Sequence, residues 1–238
     1  MATEVFNRYE HKYLIDFETY EKIRGVLERH MHLDAYNCGG HPYEIRNIYF
    51  DTRDDFLIRN SLESPPYKEK LRLRSYGEPN DASMVYLEIK KKFNKIVNKR
   101  RSALKMCDAK FFLKELALPP LKEYMNKQVM QEIQYFISVY DVSPKLYLEY
   151  FRIAYFEEKN PDLRISFDYN IRARRNNLDL ATPGGEVLLP GGTGMLMEIK
   201  TARAKPIWLC DMLGEIKAYR TSFSKYGTEY KKTAAKAI

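Results

Sequence analysis

An α+β fold built on an antiparallel β-sheet is predicted by three observations. Most of the chain alternates apolar and polar residues with the period of two that marks half-buried strands. Only four stretches carry the 3.6-residue spacing of amphipathic helices. The 238 residues include just 11 Gly and 11 Pro, and no repeat, low-complexity block or linker breaks the chain, so residues 1–238 read as one domain. Many strands with few helices place the chain in the α+β class.

In chain order, Asn7–Ile15 alternates as a strand, and Asp16 is placed to cap a helix that buries Tyr20, Ile23 and Leu27. Strands follow at Glu44–Tyr49, Lys68–Arg74, Val85–Lys90 and Ile96–Leu104. Asp108 can cap a short helix through Phe112 and Leu116. A long amphipathic helix is expected from Leu121, Tyr124, Met125, Val129, Ile133, Phe136 and Ile137. Lys145–Phe156 and Leu163–Asp168 alternate again. The Asn/Gly/Pro-rich stretch 176–194 reads as a hairpin or long loop, before a last strand at Met195–Lys200. Pro206 suits the first turn of a helix that buries Leu209, Met212, Leu213 and Ile216.

Composition narrows the functional classes. The 40 Lys+Arg against 32 Asp+Glu leave a formal charge of +8, so an anionic partner is expected. A hydrophobic content of 45% excludes a disordered tail. No run reaches the roughly 20 apolar residues of a membrane span. The start Met1–Arg8 lacks the basic-then-apolar order of a signal peptide, which makes a cytoplasmic location the expectation. Cys38, Cys107 and Cys210 are far apart and read as reduced thiols. His11, His30, His32 and His41 show no ligand or triad spacing. Gly184-Gly185 and Gly191-Gly192-Thr193-Gly194 lack a following Gly-Lys-Ser/Thr, which excludes a P-loop.

The arrangement of the charges is more informative than their sum. Residues two apart share a face of a strand, so Lys68, Lys70, Arg72 and Arg74 lie together, opposite Leu71 and Leu73. Glu88 and Lys90 lie opposite Val85, Leu87 and Ile89. Arg164, Ser166 and Asp168 oppose Leu163, Ile165 and Phe167, and Glu198 and Lys200 oppose Met195, Met197 and Ile199. Any one such strand suits an ordinary half-exposed sheet. Together they set cations and single acids on one face, where like charges repel unless an anion sits among them. Closed into a barrel with that face inward, the sheet would form a polar tunnel covered by the helices. Its Lys and Arg would grip phosphate oxygens, and its acids would suit Mg²⁺ or Mn²⁺.

At this point the chain resembles a known family, the triphosphate tunnel metalloenzymes, and within it the polyphosphate polymerase domain of the VTC group. The resemblance rests on Arg8-Tyr9-Glu10-His11-Lys12-Tyr13, Ile48-Tyr49-Phe50-Asp51-Thr52, Leu71-Arg72-Leu73-Arg74-Ser75-Tyr76-Gly77, Leu87-Glu88-Ile89-Lys90 and Lys99-Arg100-Arg101. It continues through Tyr150-Phe151-Arg152-Ile153-Ala154-Tyr155, Arg164-Ile165-Ser166-Phe167-Asp168, Met197-Glu198-Ile199-Lys200 and Phe223-Ser224-Lys225-Tyr226. It implies a closed eight-stranded antiparallel tunnel, with transfer of the γ-phosphoryl group of ATP to a polyphosphate chain started on pyrophosphate or orthophosphate. Lys12, Arg72, Arg74, Lys90, Lys99, Arg152 and Arg164 would then be the phosphate-handling cations. Arg8, Lys70, Arg101, Tyr150, Lys200, Ser222, Ser224 and Lys225 would complete the substrate-binding set. Glu198 is implied as the metal-holding acid, and the metal would be Mn²⁺ or Mg²⁺.

Two positions depart from the family pattern. Ser222 stands where eukaryotic members place a lysine, with Arg220 as another source of that charge. Arg8 replaces the first acid of the Glu-x-Glu-x-Lys motif of hydrolytic relatives, which favours the polymerase branch. Glu10 is either a metal ligand or an ion-pair partner of Arg8 or Lys12, and Glu88 has the same two readings beside Lys90. Asp168 suits a structural role and Asp51 a turn. The alternatives to a polymerase are a tunnel-fold triphosphatase acting on tripolyphosphate or nucleoside triphosphates, and a non-catalytic polyphosphate- or RNA-binding module. The cations interleave with carboxylates rather than aromatic platforms, so nucleic acid is not the expected partner. Any membrane attachment would come from a partner protein.

Overall fold

The structure, a computed structural model, describes residues 9–94, 96–191 and 193–235. The elements begin with β1 (Tyr9–Ile15), α1 (Phe17–His30), β2 (His32–Leu33), β3 (Tyr43–Asp51), α2 (Phe56–Leu62) and β4 (Tyr67–Tyr76). They continue with β5 (Met84–Phe93), β6 (Ile96–Lys105), α3 (Met106–Glu115), α4 (Lys127–Tyr140), β7 (Ser143–Phe156) and β8 (Arg164–Arg174). The last are β9 (Val187–Leu188), β10 (Met195–Thr201), α5 (Ile207–Glu215), β11 (Arg220–Thr221) and α6 (Lys225–Ala234).

The fold is α+β on an antiparallel sheet, as expected. All eight sequence-predicted strands form, and the other three of the eleven, β2, β9 and β11, are two residues long each. Hydrogen-bonded neighbours run in the order β11-β1-β10-β8-β7-β3-β4-β5-β6. Among the described residues no ladder joins β6 to β11, so the strand path is open rather than closed into the expected barrel. The chain divides into two compact units. One contains Ile45–Leu148 and Ala173–Val187; the other contains residues 9–44, Glu149–Arg172 and 188–235.

In the first unit, β4, β5 and β6 pair in register, with Leu71 opposite Ile89 and Leu73 opposite Leu87. These residues are at most 2% exposed and pack with Leu104, Phe112, Met130 and Ile133. Helices α3 and α4 therefore cover one face of the meander, which leaves its other face to the charged residues. A second ionic set pins α4 in place. Lys91 Nζ lies 2.8 Å from Glu132, and Arg100 contacts Glu132 at 2.7 Å and Gln128 at 2.9 Å.

In the second unit, β1, β10 and β8 align Tyr13, Met197 and Phe167 on one face. That face packs on Tyr20, Ile23, Leu27, Leu209 and Met212 of α1 and α5. Asp16 caps α1 as predicted, accepting from the Thr19 N–H at 2.7 Å.

Several helix ends differ from expectation. Asn126 caps α4 by accepting from the Val129 N–H at 3.1 Å, so Leu121, Tyr124 and Met125 lie before the helix instead of within it. Asp108 sits in the first turn of α3, where the helix dipole favours an acid, and Lys105 takes the cap position. Pro206 stands at the cap of α5. Two short helices had no clear periodic signal. The fully buried Asp51 accepts from the Leu57 and Ile58 N–H groups to start α2, and Ser224 accepts from the Gly227 N–H to start α6. No described helix is long and apolar enough to cross a membrane.

Candidate functional site

The uncovered face of the β4–β6 meander is set by strand register. Lys68, Lys92 and Val97 form one row, and Lys70, Lys90 and Lys99 the next. Arg72, Glu88 and Arg101 follow, then Arg74, Tyr86 and Ala103. Directly opposed residues lie on the same side of a sheet, so Glu88 is the one acid of this array. It is 1% exposed. Arg72 Nε reaches Glu88 Oε2 at 2.6 Å, Lys99 Nζ reaches Oε1 at 2.6 Å, and Arg74 Nε lies 3.8 Å from Oε2. β3 braces the two arginines: Arg72 Nη1 donates to the Tyr49 hydroxyl at 3.1 Å and Arg74 Nε to Asn47 Oδ1 at 3.0 Å. Arg101 lies over the Tyr86 ring at 4.9 Å.

The electrostatics follow from this ratio of one acid to several bases. Burial works to raise the Glu88 pKa, but Arg72, Arg74 and Lys99 outweigh it and hold the carboxyl well below its usual range. Lys99 has the opposite balance. Burial, together with Arg72 and Arg74, lowers its ammonium to about 7 against the pull of Glu88. Its side chain keeps 37% of its exposure, so water moderates that drop. Lys68 is lowered by burial and then by Lys92 and Lys90.

The second unit builds a different cluster on the uncovered face of β1, β10 and β8. Register aligns Glu10, Lys200 and Arg164, then Lys12, Glu198 and Ser166. Asp168 is fully buried and accepts from Arg152 through both Nε and Nη2, at 2.6 and 2.8 Å. The first residue of α6, Lys225, contacts Asp168 at 2.5 Å and Glu198 at 3.7 Å. Lys225 and Arg152 lie over the Tyr150 ring at 4.6 and 5.4 Å. Glu198 also meets Lys12 at 3.5 Å and Lys200 at 3.4 Å. Burial opposes the charged form of both acids. Arg152 and Lys225 nevertheless hold Asp168 low, and Lys225, Lys12 and Lys200 hold Glu198 well below its usual range. Lys225 and Arg152 are raised in turn, against burial, chiefly by Asp168.

Lys12 shows what this face offers a cation. Its ammonium sits 3.2 Å from Glu10, 3.5 Å from Glu198 and 3.1 Å from the Phe223 carbonyl. Two carboxylates and a carbonyl are hard oxygen donors, and Mg²⁺ or Mn²⁺ needs only one or two protein carboxylates when phosphate and water complete its shell. Glu10 and Glu198 therefore fit a divalent ion in donor type. Glu88 does not, because each of its oxygens already meets a cation at 2.6 Å. Among the described residues no three His, Cys, Asp or Glu side chains form a metal-caging group.

The remaining sequence-predicted residues fall as follows. Lys70 and Lys90 are half-buried in the first array, whereas Arg164 is exposed beside Lys200. Ser224 is the α6 cap, and Ser222 is exposed in the segment before it. Arg220 pairs opposite Tyr13, which places it on the helix-covered side of β1 and away from Lys12. Arg8 lies outside the described residues. Sequence reasoning missed the bracing by Asn47 and Tyr49, although their spacing of two along β3 is the same signal that grouped Arg72 with Arg74.

Comparison with known proteins agrees with this architecture. A crystal structure of a proposed adenylate cyclase from Bacillus halodurans is 15% identical to the chain, with a TM-score of 0.54, covering 92% of this chain and 96% of that one. The PH1819 protein from Pyrococcus horikoshii is also 15% identical, with a TM-score of 0.50, covering 97% and 99% respectively. At such identities the likeness shows the fold alone. No curated protein matches in sequence. The model of the VTC domain matches residues 7–234, almost the whole chain, and the protein accordingly belongs to the VTC domain family.

Proposed function

We propose that this protein is an enzyme that makes inorganic polyphosphate from ATP. The carrying observation is the β4–β6 array, in which eight Lys and Arg side chains share a face with one acid. Such an array is stabilised by a multiply charged anion, and a phosphate chain offers the negative charge and the acceptor oxygens that its Lys and Arg donors suit.

The reaction moves the γ-phosphoryl group of ATP to a terminal oxygen of a polyphosphate chain, with pyrophosphate or orthophosphate as the first acceptor. One phosphorus–oxygen bond forms as the bond to ADP breaks. A terminal phosphate is already a nucleophilic anion, so the protein's work is positioning and charge stabilisation. Arg72 and Arg74 offer forked donors to the equatorial oxygens, and Glu88, Tyr49 and Asn47 fix their planes before substrate arrives. Lys70, Lys90, Lys99 and Arg101 supply the other phosphate contacts of that array. In the second unit Lys12, Arg152, Arg164, Lys200, Lys225, Tyr150, Ser222 and Ser224 are assigned the same task, with Asp168 holding Arg152 and Lys225 in place. Glu198 and Glu10 would hold a Mn²⁺ or Mg²⁺ ion, which would neutralise phosphate charge.

Incubation of the purified protein with ATP, Mn²⁺ and pyrophosphate tests the proposal. Long polyphosphate with stoichiometric ADP is the expected product. Hydrolysis of tripolyphosphate without chain growth would assign a triphosphatase instead, and tight RNA binding without ATP turnover would assign a binding module.

A further inference from the structure

One buried hydroxyl on the charged face of the second unit has no internal role. Ser166 is 7% exposed, and its Oγ has no hydrogen-bond partner among the described residues. It sits in the middle of β8 on the same face as Arg164 and Asp168, directly across from Glu198, with Lys12 across from Glu198 on the far strand. The nearby carboxylates are already engaged. Glu198 is met by Lys12, Lys225 and Lys200, and Asp168 by Arg152 and Lys225. A buried hydroxyl left unpaired lowers stability, and alanine at this strand position would avoid that cost. The hydroxyl therefore suits an acceptor from outside the chain, and the cations around it select an anionic one.

We propose that Ser166 is a phosphate-binding residue, whose hydroxyl donates to a non-bridging phosphate oxygen held on the face formed by Lys12, Lys200 and Arg164. This rests on the reading above, that this face takes phosphate. A hydroxyl contributes something the lysines do not: a short, directional contact that fixes where one oxygen lies.

The test pairs two readouts that a structural serine would move together and a phosphate-binding serine moves apart. Ser166→Ala should melt at the same temperature as the parent protein or higher without ligand, because an unsatisfied hydroxyl is removed. The same variant should bind inorganic tripolyphosphate roughly 10-fold more weakly by calorimetry, with EDTA and with Mg²⁺ alike. Ser166→Cys, which keeps the shape but donates weakly, should show most of that loss. A lower ligand-free melting temperature for Ser166→Ala, or unchanged tripolyphosphate affinity in both variants, would overturn the assignment. If the parent protein itself fails to bind tripolyphosphate, the phosphate reading of the face falls first and takes this one with it.

Discussion

The two charge clusters use similar residues in different proportions. In the first unit the β4–β6 rows set one carboxylate, Glu88, beside Arg72, Arg74 and Lys99, with Lys68, Lys70, Lys90, Lys92 and Arg101 in the same rows. In the second, Glu10, Glu198 and Asp168 share the face with Lys12, Lys200, Lys225, Arg152 and Arg164, three acids to five bases, so charge is closer to balance. An unbalanced array gains most from an added anion. On the proposed function, the difference would give anion attraction chiefly to the first cluster, and orientation and metal holding to the second.

The largest effect should come from removing the single acid. Glu88→Gln leaves Arg72, Arg74 and Lys99 facing one another at a site 1% exposed, which should cost about 3–5 kcal/mol of stability. Tripolyphosphate should restore more of the melting temperature in this variant than in the parent protein, because the anion replaces the missing charge. Glu198→Gln should cost less, since Lys225 keeps Asp168. If the two variants lose equal stability and respond equally to tripolyphosphate, the contrast between the clusters fails.

Next in size is the division between binding and metal use. Arg72→Met should weaken tripolyphosphate binding roughly 10- to 100-fold, as expected for a lost charge-assisted contact, and should do so in EDTA as well as in Mn²⁺. Glu198→Gln should bind tripolyphosphate nearly normally in EDTA but lose the extra affinity that Mn²⁺ confers. Calorimetric titrations under the four conditions check the pair. A metal-dependent loss at Arg72, or a metal-independent one at Glu198, would reverse the assignment.

Much of this contrast was legible in the sequence, because strand alternation fixes which side chains share a face. Lys68 to Arg74, Glu88 with Lys90, and Glu198 with Lys200 group by spacing alone. Spacing within a strand does not reveal which strands lie side by side, so the sharing of Glu88 by Arg72 and Lys99 depended on register. The same limit hid the bidentate Arg152–Asp168 pair and left Asp168 with only a structural guess. Lys91 shows the converse. It looks like a solvated surface lysine in the run Lys90–Lys92, yet alternation turns it to the helix-covered side, where it meets Glu132 of α4. Helices α2 and α6 escaped notice because they are short and their first-turn N–H groups are met by Asp51 and Ser224, which read equally well as a turn residue and a phosphate ligand.

The smallest expected effect concerns pH, and it belongs to the unbalanced cluster alone. Lys99 is held at about 7 in the folded protein, below the ordinary lysine value of 10.5, by burial and by Arg72 and Arg74. Between those values the unfolded chain carries a proton that folded Lys99 lacks, so this group makes stability rise with pH across the window. A phosphate anion beside it favours the charged form and draws the proton back. Tripolyphosphate binding should therefore take up a proton above pH 7 and weaken as pH rises toward 9. Lys99→Arg stays charged throughout, and comparing it with the parent protein cancels the titration of tripolyphosphate itself. Calorimetry in buffers of different ionisation enthalpy should show proton uptake in the parent and less of it in the variant. Equal uptake in both would mean that water around the partly exposed Lys99 side chain keeps it charged, and that the surplus of cations is felt in affinity without being felt in protonation.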